Sequence, residues 1–333
     1  MKFINIEEHI VADNIMDVIS KNMNSNENPE RMAFFFDRAL VGGRLIQRDE
    51  GRLQHMDDSG ITIQVLSYVN MGDNPAIPKA IRTQNIIKAN NYLKEVVDLH
   101  PDRFAAFTIL PVWDVEASVK ELERTVKELG FKGAMVTGKF DDHFMDEKEF
   151  FPIFEKAVEL DVPIYFHPSM PNKVIQDYYY TSPDGSWNNE VANEFGSAGF
   201  GWHLDIGIQV VRMILTGIFD KLPDLKLITG HWGEGIIAML DRMDCMIPKE
   251  ITGLKKNISE YYRENIYVTP SGIESEINLE AVTKYMGADH ILWAEDYPYL
   301  RGDTNTSFLL NSSLTEEEKE LISHKNAEKL LKL

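Results

Sequence analysis

The sequence predicts an α/β fold, a (β/α)8 TIM barrel that the whole chain, 1–333, forms as a single domain. Short apolar runs bounded by polar residues, proline or glycine alternate along the chain with helical patterns, as buried parallel strands alternate with their crossover helices. A length of 333 residues suits one barrel with insertions. No G-x-G-x-x-G follows the first run, which disfavours a doubly wound open sheet.

The elements are predicted in a regular order. The strands are expected at 4–6, 62–69, 104–111, 133–138, 163–168, 225–233, 266–272 and 291–296. Helices are expected at 77–99, 114–129, 148–160, from about 235, at 275–286 and from Thr315 onward. The last helix carries a capping-box pattern, since Glu318 follows Thr315 by three residues. Each strand–helix pair therefore fits one unit of the barrel.

Two segments do not follow this alternation of strands and helices. The segment 22–50 is polar and includes an asparagine-rich stretch. The segment 169–202, after the fifth predicted strand, contains three consecutive tyrosines at 178–180 and is too long for an ordinary connection. We expect this insertion to be a lid or a subunit interface; a satellite core packed on the barrel rim is the alternative.

Charge and composition limit the partners and the location. The formal net charge of −19 argues against nucleic acid and against an anionic membrane surface. The single Cys245 rules out a disulfide within the chain and favours a reducing compartment. The sequence shows neither a signal-peptide pattern nor an apolar run of about 18 residues. These features predict a cytoplasmic protein. Because the chain is strongly negative, an anionic substrate would need a locally positive site.

Four polar side chains stand at the ends of predicted strands: Glu7, His9, His167 and Asp296. Strand alternation places Glu7 and His9 on one face, with Glu8 on the other. The carboxyl ends of parallel barrel strands meet at one face, so these side chains form a ligand set for a divalent metal. Each also has an alternative interpretation. The segment of Glu7 and His9 could be a polar loop start with solvated acids, His167 a core histidine bonded to backbone, and Asp296 a helix N-cap or a member of an ion pair.

The G-H-W-G-E-G segment adds His231 and Glu234 at a strand-to-helix turn. His231 is expected either to bind the metal or to hydrogen-bond Asp296 and tune its protonation. As an alternative, Glu234 merely complements a helix dipole. Glu295 should face away from Asp296 by strand alternation.

Two arginines are candidates for binding a substrate carboxylate. Arg242 lies eleven residues after His231, about three helical turns away, so it would serve the site of a second subunit; an ion pair with Asp241 or Asp244 is the alternative. Arg52 is the other candidate. The alternative is that Arg52 is a solvated arginine in a loop. The remaining histidines are expected to be structural or exposed: His55, His100, His143, His203, His290 and His324.

These motifs together resemble the metal-dependent decarboxylase branch of the amidohydrolase superfamily. E-x-H follows the first strand, F-H-P the fifth, G-H-x-G-E the sixth and D-Y-P the eighth. The likeness is greatest to γ-resorcylate (2,6-dihydroxybenzoate), 2,3-dihydroxybenzoate and 5-carboxyvanillate decarboxylases. It extends through segments such as 56–61, 101–111, 130–138, 215–235 and 326–331.

The resemblance implies specific roles. Glu7, His9, His167 and Asp296 would hold one Mn²⁺ or Zn²⁺ ion, with His231 and Glu234 beside the aspartate. Arg242 would reach a neighbouring subunit, which implies a homodimer or homotetramer. Three departures concern substrate recognition: HPSMP at 167–171, a short acidic segment at 139–147, and Ala294-Glu295 before Asp296.

The expected activity is the non-oxidative decarboxylation of a small aromatic acid, a hydroxybenzoic acid such as 2,6-dihydroxybenzoate, to CO₂ and a phenol. Asp296, held protonated by its environment, would protonate the ring carbon, supported by His231 and Glu234. The alternatives are metal-dependent hydrolysis of a lactone or amide with Asp296 as general base, decarboxylation of a non-aromatic enol acid, and a metal-stabilised binding protein without turnover.

Overall fold

The computed structural model describes residues 1–12, 43–69, 77–140, 143–300 and 306–333. Most of the polar segment 22–50 lies outside these ranges. The described strands are β1 (Ile4–Ile10), β2 (Ile63–Tyr68), β3 (Phe104–Ala106), β4 (Thr108–Ile109), β5 (Ala134–Val136), β6 (Lys139–Phe140), β7 (His143–Phe144), β8 (Ile164–Phe166), β9 (Leu227–Thr229) and β10 (Ile266–Val268).

The parallel strands follow the order of a barrel. One group runs β1-β2-β3 and another runs β10-β9-β8-β5-β4, while β6 and β7 form a separate antiparallel pair. Only Phe107 separates β3 from β4, and these two strands share one barrel position. Parallel bridges from Val268 to Ile291 and from Asn5 to Trp293 place the eighth segment between β10 and β1. The predicted (β/α)8 fold is confirmed.

A register shift in β1 decides which of its side chains face the barrel interior. Asn5 pairs with Gln64, but Glu8 pairs with Leu66, so β1 has one extra residue between the two pairs. Such a bulge reverses the alternation of side chains along a strand. Ile4 and Ile6 belong to the interior cluster, and after the bulge Glu7 faces the same interior, where it meets Tyr165.

Helices cover the outside of the strands. The α-helices span Glu50–Ser59, Lys79–Leu99, Val115–Leu129, Phe151–Leu160, Lys173–Ile175, Asn189–Gly196, Gly201–Leu215, Ile218–Lys221, His231–Glu234, Leu240–Met246, Lys249–Thr252, Ile258–Asn265, Glu276–Met286, Ser307–Leu310, Glu316–Glu320 and Asn326–Leu331. Short 3₁₀ turns occupy Arg44–Ile46, Lys148–Phe150, Ile237–Met239 and Ala288–His290, and π-helical turns occupy Gln176–Tyr180 and Leu321–Lys325.

Several helix starts follow from local capping. Asp114 accepts a hydrogen bond from Ala117 N, and Ser275 accepts one from Asn278 N. Thr315 and Glu318 form the predicted capping box, which satisfies amides that the first helical turn leaves without partners. The helix Glu50–Ser59 and the helix Ile258–Asn265 were not predicted. No helix among the described residues is long and apolar enough to cross a bilayer.

Candidate metal centre

Four side chains converge at the carboxyl ends of the strands, as predicted: Glu7 and His9 on β1, His167 directly after β8, and Asp296 after the eighth segment. One ligand atom from each lies within 4.8 Å of the others. His9 Nε2 lies 3.0 Å from Asp296 Oδ1, and His167 Nε2 lies 3.5 Å from Glu7 Oε1. Two imidazoles and two carboxylates therefore surround one point.

Three of these ligand atoms have no hydrogen-bond partner. Glu7 Oε1, His9 Nε2 and Asp296 Oδ1 are buried, and none of them makes a hydrogen bond within the described part of the chain. Buried polar atoms are costly unless they are paired. A shared cation would satisfy all three atoms at once, so the residues present fit a divalent metal ion.

The second oxygen of Glu7 is held in place by hydroxyl groups. Tyr165 Oη donates to Glu7 Oε2 at 2.5 Å, and Ser271 Oγ also donates to it. Thr269 Oγ1 lies 3.4 Å from the same oxygen. These donors fix the carboxylate and leave Oε1 directed at the metal position. Such outer partners commonly orient metal ligands.

His167 is prepared to be a neutral ligand. Its Nδ1 lies 2.8 Å from the carbonyl oxygen of Pro168, which only accepts, so Nδ1 carries the proton and Nε2 keeps its lone pair. Burial, helped by the nearby His9, lowers the pKa of His167 to about 3. A metal-binding histidine must be deprotonated at the ligating nitrogen, and this environment keeps it so.

His231 and Glu234 are presented by an unusual turn. The φ angles of His231, Trp232, Gly233 and Glu234 are 49°, 58°, 80° and 57°, all in the left-handed region. A Cβ at Gly233 would lie 2.5 Å from the hydroxyl of Tyr262, so this position requires glycine. Residues held in such sparsely populated conformations often cluster at active sites.

The turn connects His231 to the metal-ligand set. His231 Nδ1 lies 2.8 Å from Glu234 Oε1, and His231 Nε2 lies 3.9 Å from Asp296 Oδ2. Burial would lower the pKa of His231, but the charge of Glu234, the neighbouring carboxylate of Asp296 and the hydrogen bond to Glu234 raise that pKa well above its ordinary value. These neighbours favour the protonated form of the His231 imidazole.

The prediction that the environment holds Asp296 protonated does not agree with this arrangement. Burial would raise the pKa of Asp296, but the neighbouring imidazoles of His231 and His9 lower it below its ordinary value. The opposite directions of the two pKa shifts favour a proton on His231 over one on Asp296. The three residues predicted to act together, Asp296, His231 and Glu234, lie together.

His203 was expected to be structural or exposed, but it lies beside Glu234 and His231. Its Nδ1 lies 2.7 Å from Glu234 Oε2, and its ring centre lies 4.3 Å from that of His231. A signal for its position exists in the sequence, because His203, Ile206 and Val210 follow one another at helical spacing and the latter two are buried. His203 lies at the edge of this buried face.

The position of Arg52 differs from the expected solvated loop. It lies in the helix Glu50–Ser59 and is completely buried, not solvated in a loop. Its guanidinium donates to the carbonyl oxygens of Gln47 and His9 at 2.8 and 2.6 Å, and to Gln64 Oε1 at 3.0 Å. Arg52 therefore holds the backbone of β1 at His9, and its predicted role in binding a substrate carboxylate stays a prediction.

Arg242 lies on the outside of the barrel. It is exposed on the helix Leu240–Met246. The alternative ion pairs do not form among the described residues: Asp241 accepts from Tyr285 Oη at 3.0 Å, and Asp244 accepts from Ser259 N at 3.1 Å. An exposed arginine on this helix is compatible with the expectation that it serves a second subunit.

The insertion 169–202 is partly helical. Tyr180 is buried and packs edge-on against Phe195, with ring centres 5.0 Å apart. Tyr178 and Tyr179 are 81% and 60% exposed. The insertion therefore combines a small core of its own with an outward aromatic surface, and the helix Gly201–Leu215 begins at its end.

The chain is similar to known proteins of one family. The sequence model of the amidohydrolase family matches residues 43–333. The chain is 34% identical over 315 residues to the decarboxylase orsB of Emericella nidulans, covering 90% of this chain and 91% of the relative. It is also 34% identical over 305 residues to the γ-resorcylate decarboxylase of Polaromonas sp., covering 87% and 89%.

A solved structure extends the likeness to the fold. The crystal structure of a dihydroxybenzoic acid decarboxylase from Polaromonas sp., with bound manganese and the inhibitor 2-nitroresorcinol, superposes with a TM-score of 0.85. That match has 29% identity and covers 100% of this chain and 97% of that one. By its sequence and its barrel, this chain belongs to the amidohydrolase family, together with the γ-resorcylate decarboxylases.

Proposed function

We propose that this protein is a metal-dependent decarboxylase that converts a hydroxybenzoic acid, such as 2,6-dihydroxybenzoate, to CO₂ and a phenol. The main support is the set of buried, unpaired ligand atoms of Glu7, His9 and Asp296, which lie beside His231, whose pKa is raised by its neighbours. Relatives that match most of the chain are named decarboxylases of aromatic acids. A cation and a proton donor are the two requirements of this reaction.

The metal ion, Mn²⁺ or Zn²⁺, would be held by Glu7, His9, His167 and Asp296. When bound, it supplies a Lewis acid that anchors the carboxylate and phenolic oxygens of the substrate. The protein residues keep this site ready: the donors on Glu7 Oε2 fix one ligand, and the Pro168 carbonyl fixes the tautomer of another.

The proton comes from the His231–Asp296 pair. His231 passes its Nε2 proton to Asp296, and Asp296 delivers it to the ring carbon that bears the carboxylate. The carbon–carbon bond then breaks, its electron pair returns to the ring, and CO₂ leaves as the ring becomes aromatic again. Glu234 holds the opposite nitrogen of His231 at 2.8 Å, and so keeps Nε2 directed towards Asp296.

We also propose that the active protein is a homodimer or homotetramer, in which Arg242 of one subunit binds the substrate carboxylate in another. Its exposed position supports this role. Mixing Arg242→Ala subunits with Asp296→Asn subunits tests it, because a mixed oligomer would contain some sites with both residues intact. We expect part of the activity to return on mixing; no recovery, with mixed oligomers formed, would contradict the proposal.

The test of the reaction is CO₂ release from a small panel of acids. The panel contains 2,6- and 2,3-dihydroxybenzoate, salicylate, 5-carboxyvanillate and an enol carboxylate, with Mn²⁺- or Zn²⁺-loaded protein and a chelated control. We expect metal-dependent CO₂ from at least one hydroxybenzoate. CO₂ from the enol acid alone would change the substrate class. No CO₂ from any acid, with metal bound, would overturn the proposal and direct the tests to lactones and amides.

A further inference from the structure

His203 occupies a defined place behind the acid pair. The carboxylate of Glu234 lies between two imidazoles, with His231 Nδ1 at 2.8 Å from one oxygen and His203 Nδ1 at 2.7 Å from the other. The Glu234 side chain has no exposed surface, whereas 17% of the His203 side chain is exposed. A buried carboxylate needs donors for both oxygens, and His203 supplies the outer one.

The other side of His203 is also held. Its Nε2 lies 2.9 Å from the carbonyl oxygen of Ala198 and 3.0 Å from the indole Nε1 of Trp202. The carbonyl accepts and the indole donates, so Nε2 has a partner with or without a proton. The Nδ1–H bond to Glu234 is therefore kept in both protonation states of His203.

The insertion 169–202 packs against the start of the helix that carries His203. The helix Gly201–Leu215, which carries His203, begins where the insertion ends. A Cβ at Gly201 would lie 2.5 Å from the carbonyl oxygen of Gly196 and 2.7 Å from the ring of Tyr180. The start of this helix is thus packed directly against the buried part of the insertion, and Ala198 belongs to the same segment.

We propose that His203 is a positioning residue for the catalytic acid, through which the insertion 169–202 holds Glu234 and hence the ring of His231 in place. This inference rests on the proposed function, because it concerns delivery of the proton in decarboxylation. His203 does not touch the four metal ligands through any described hydrogen bond or ion pair. Its loss should therefore affect the proton donor and leave metal binding intact.

Two substitutions separate positioning from simple structural support. His203→Ala removes the donor to Glu234, and we expect kcat to fall about 10- to 100-fold, the usual effect of losing such an outer partner. KM and the Mn²⁺ affinity should stay within about twofold of wild type, since the removed contact concerns the acid and not the ligands. His203→Asn places an amide donor near the position of Nδ1, and it should restore most of kcat. His324→Ala is the matched control for loss of a histidine elsewhere.

An NMR measurement tests the same inference without turnover. In the Zn²⁺-loaded protein, which is diamagnetic, the proton between His231 Nδ1 and Glu234 should give a downfield signal coupled to ¹⁵N. We expect this signal to be lost or strongly shifted in His203→Ala and retained in His203→Asn. An unchanged signal and unchanged kcat in His203→Ala would overturn the inference. So would a loss of Mn²⁺ binding or of folding in both variants. Absence of CO₂ release by the wild type would reject the proposed function while leaving this readout valid.

Discussion

Glu7 and Glu8 are neighbours on β1 and are both completely buried, but their carboxylates meet opposite surroundings. Glu8 Oε1 accepts from Glu295 N at 3.1 Å, and Glu8 Oε2 accepts from Gln64 Nε2 and Tyr297 N, both at 3.3 Å. Glu7 Oε2 is crowded with hydroxyl donors, while Glu7 Oε1 has none.

Strand β1 therefore carries a structural carboxylate, Glu8, on one face and a candidate metal ligand, Glu7, on the other. On the Glu8 side, main-chain amides and Gln64 satisfy the carboxylate, and His55 lies 3.2 Å from Glu295 on the same side. On the Glu7 side, an oxygen without a donor is left for a cation. Buried carboxylates are stable only when paired or bound to metal, so the protein satisfies Glu8 by itself and leaves one oxygen of Glu7 for a cation.

The largest expected contrast is in metal binding. Glu7→Gln should abolish stoichiometric Mn²⁺ binding, because it removes the charged ligand oxygen at the centre of the site. Glu8→Gln is the matched control on the opposite face and should retain the metal. Metal content after dialysis, together with titration calorimetry, measures both; equal retention in the two variants would show that Glu7 is not a ligand.

The next contrast is between Asp296 and its neighbour Glu295. Asp296→Asn should retain metal to some degree and lose turnover by about 10²- to 10⁴-fold, the range for removing a general acid. Glu295→Gln, which changes the opposite side of the chain, should keep most of the activity of its folded fraction. Near-normal CO₂ release by Asp296→Asn would remove this residue from the proton-donor role.

Arg52 tests the structural side of the comparison. Arg52→Met should lower the free energy of unfolding by about 3–5 kcal/mol, because removing one member of a buried charged network leaves its partners unpaired. The carbonyl oxygens of Gln47 and His9 would lose their donor. Urea denaturation of the metal-free protein measures this change. A loss below about 1 kcal/mol would contradict the structural role.

The smallest expected effect is that of a residue supporting a ligand. Tyr165→Phe removes the hydroxyl that donates to Glu7 Oε2 and should weaken Mn²⁺ binding about 10- to 100-fold. Tyr285→Phe, which removes a hydroxyl bonded to Asp241 far from the ligand set, is the control. If both variants bind Mn²⁺ as the wild type does, the hydroxyl cluster does not orient Glu7.

Much of the site was predictable because the barrel brings the ends of distant strands together. Glu7, His9, His167 and Asp296 each end an apolar run, so recognising the strands was enough to place these ligands on one face. The helix starts at Ser275 and Thr315 were equally local, since a capping side chain satisfies amides only a few residues away. Short-range rules suffice for such features.

Other features depended on contacts between distant parts of the chain. Arg52 lies in a polar stretch whose helix and burial depend on β1 and Gln64. The hydrogen bond between His203 and Glu234 joins residues that are 31 apart in the sequence. The raised pKa of His231 depends in part on Asp296, a carboxylate that is distant in the sequence and that the fold brings near it. Burial and charge are sums over neighbours in space, which a linear pattern does not contain.

Local sequence patterns were therefore enough to predict the barrel and the residues available for a metal ion. The surroundings of those residues depend on how the strands pair. Ile4 and Ile6 share a face with Glu7 because of the bulge in β1, and plain alternation from those isoleucines would have turned Glu8 inward instead. The physical reason is that strand pairing sets the register, and the register then selects which of two adjacent carboxylates lacks donors and remains free to bind a cation.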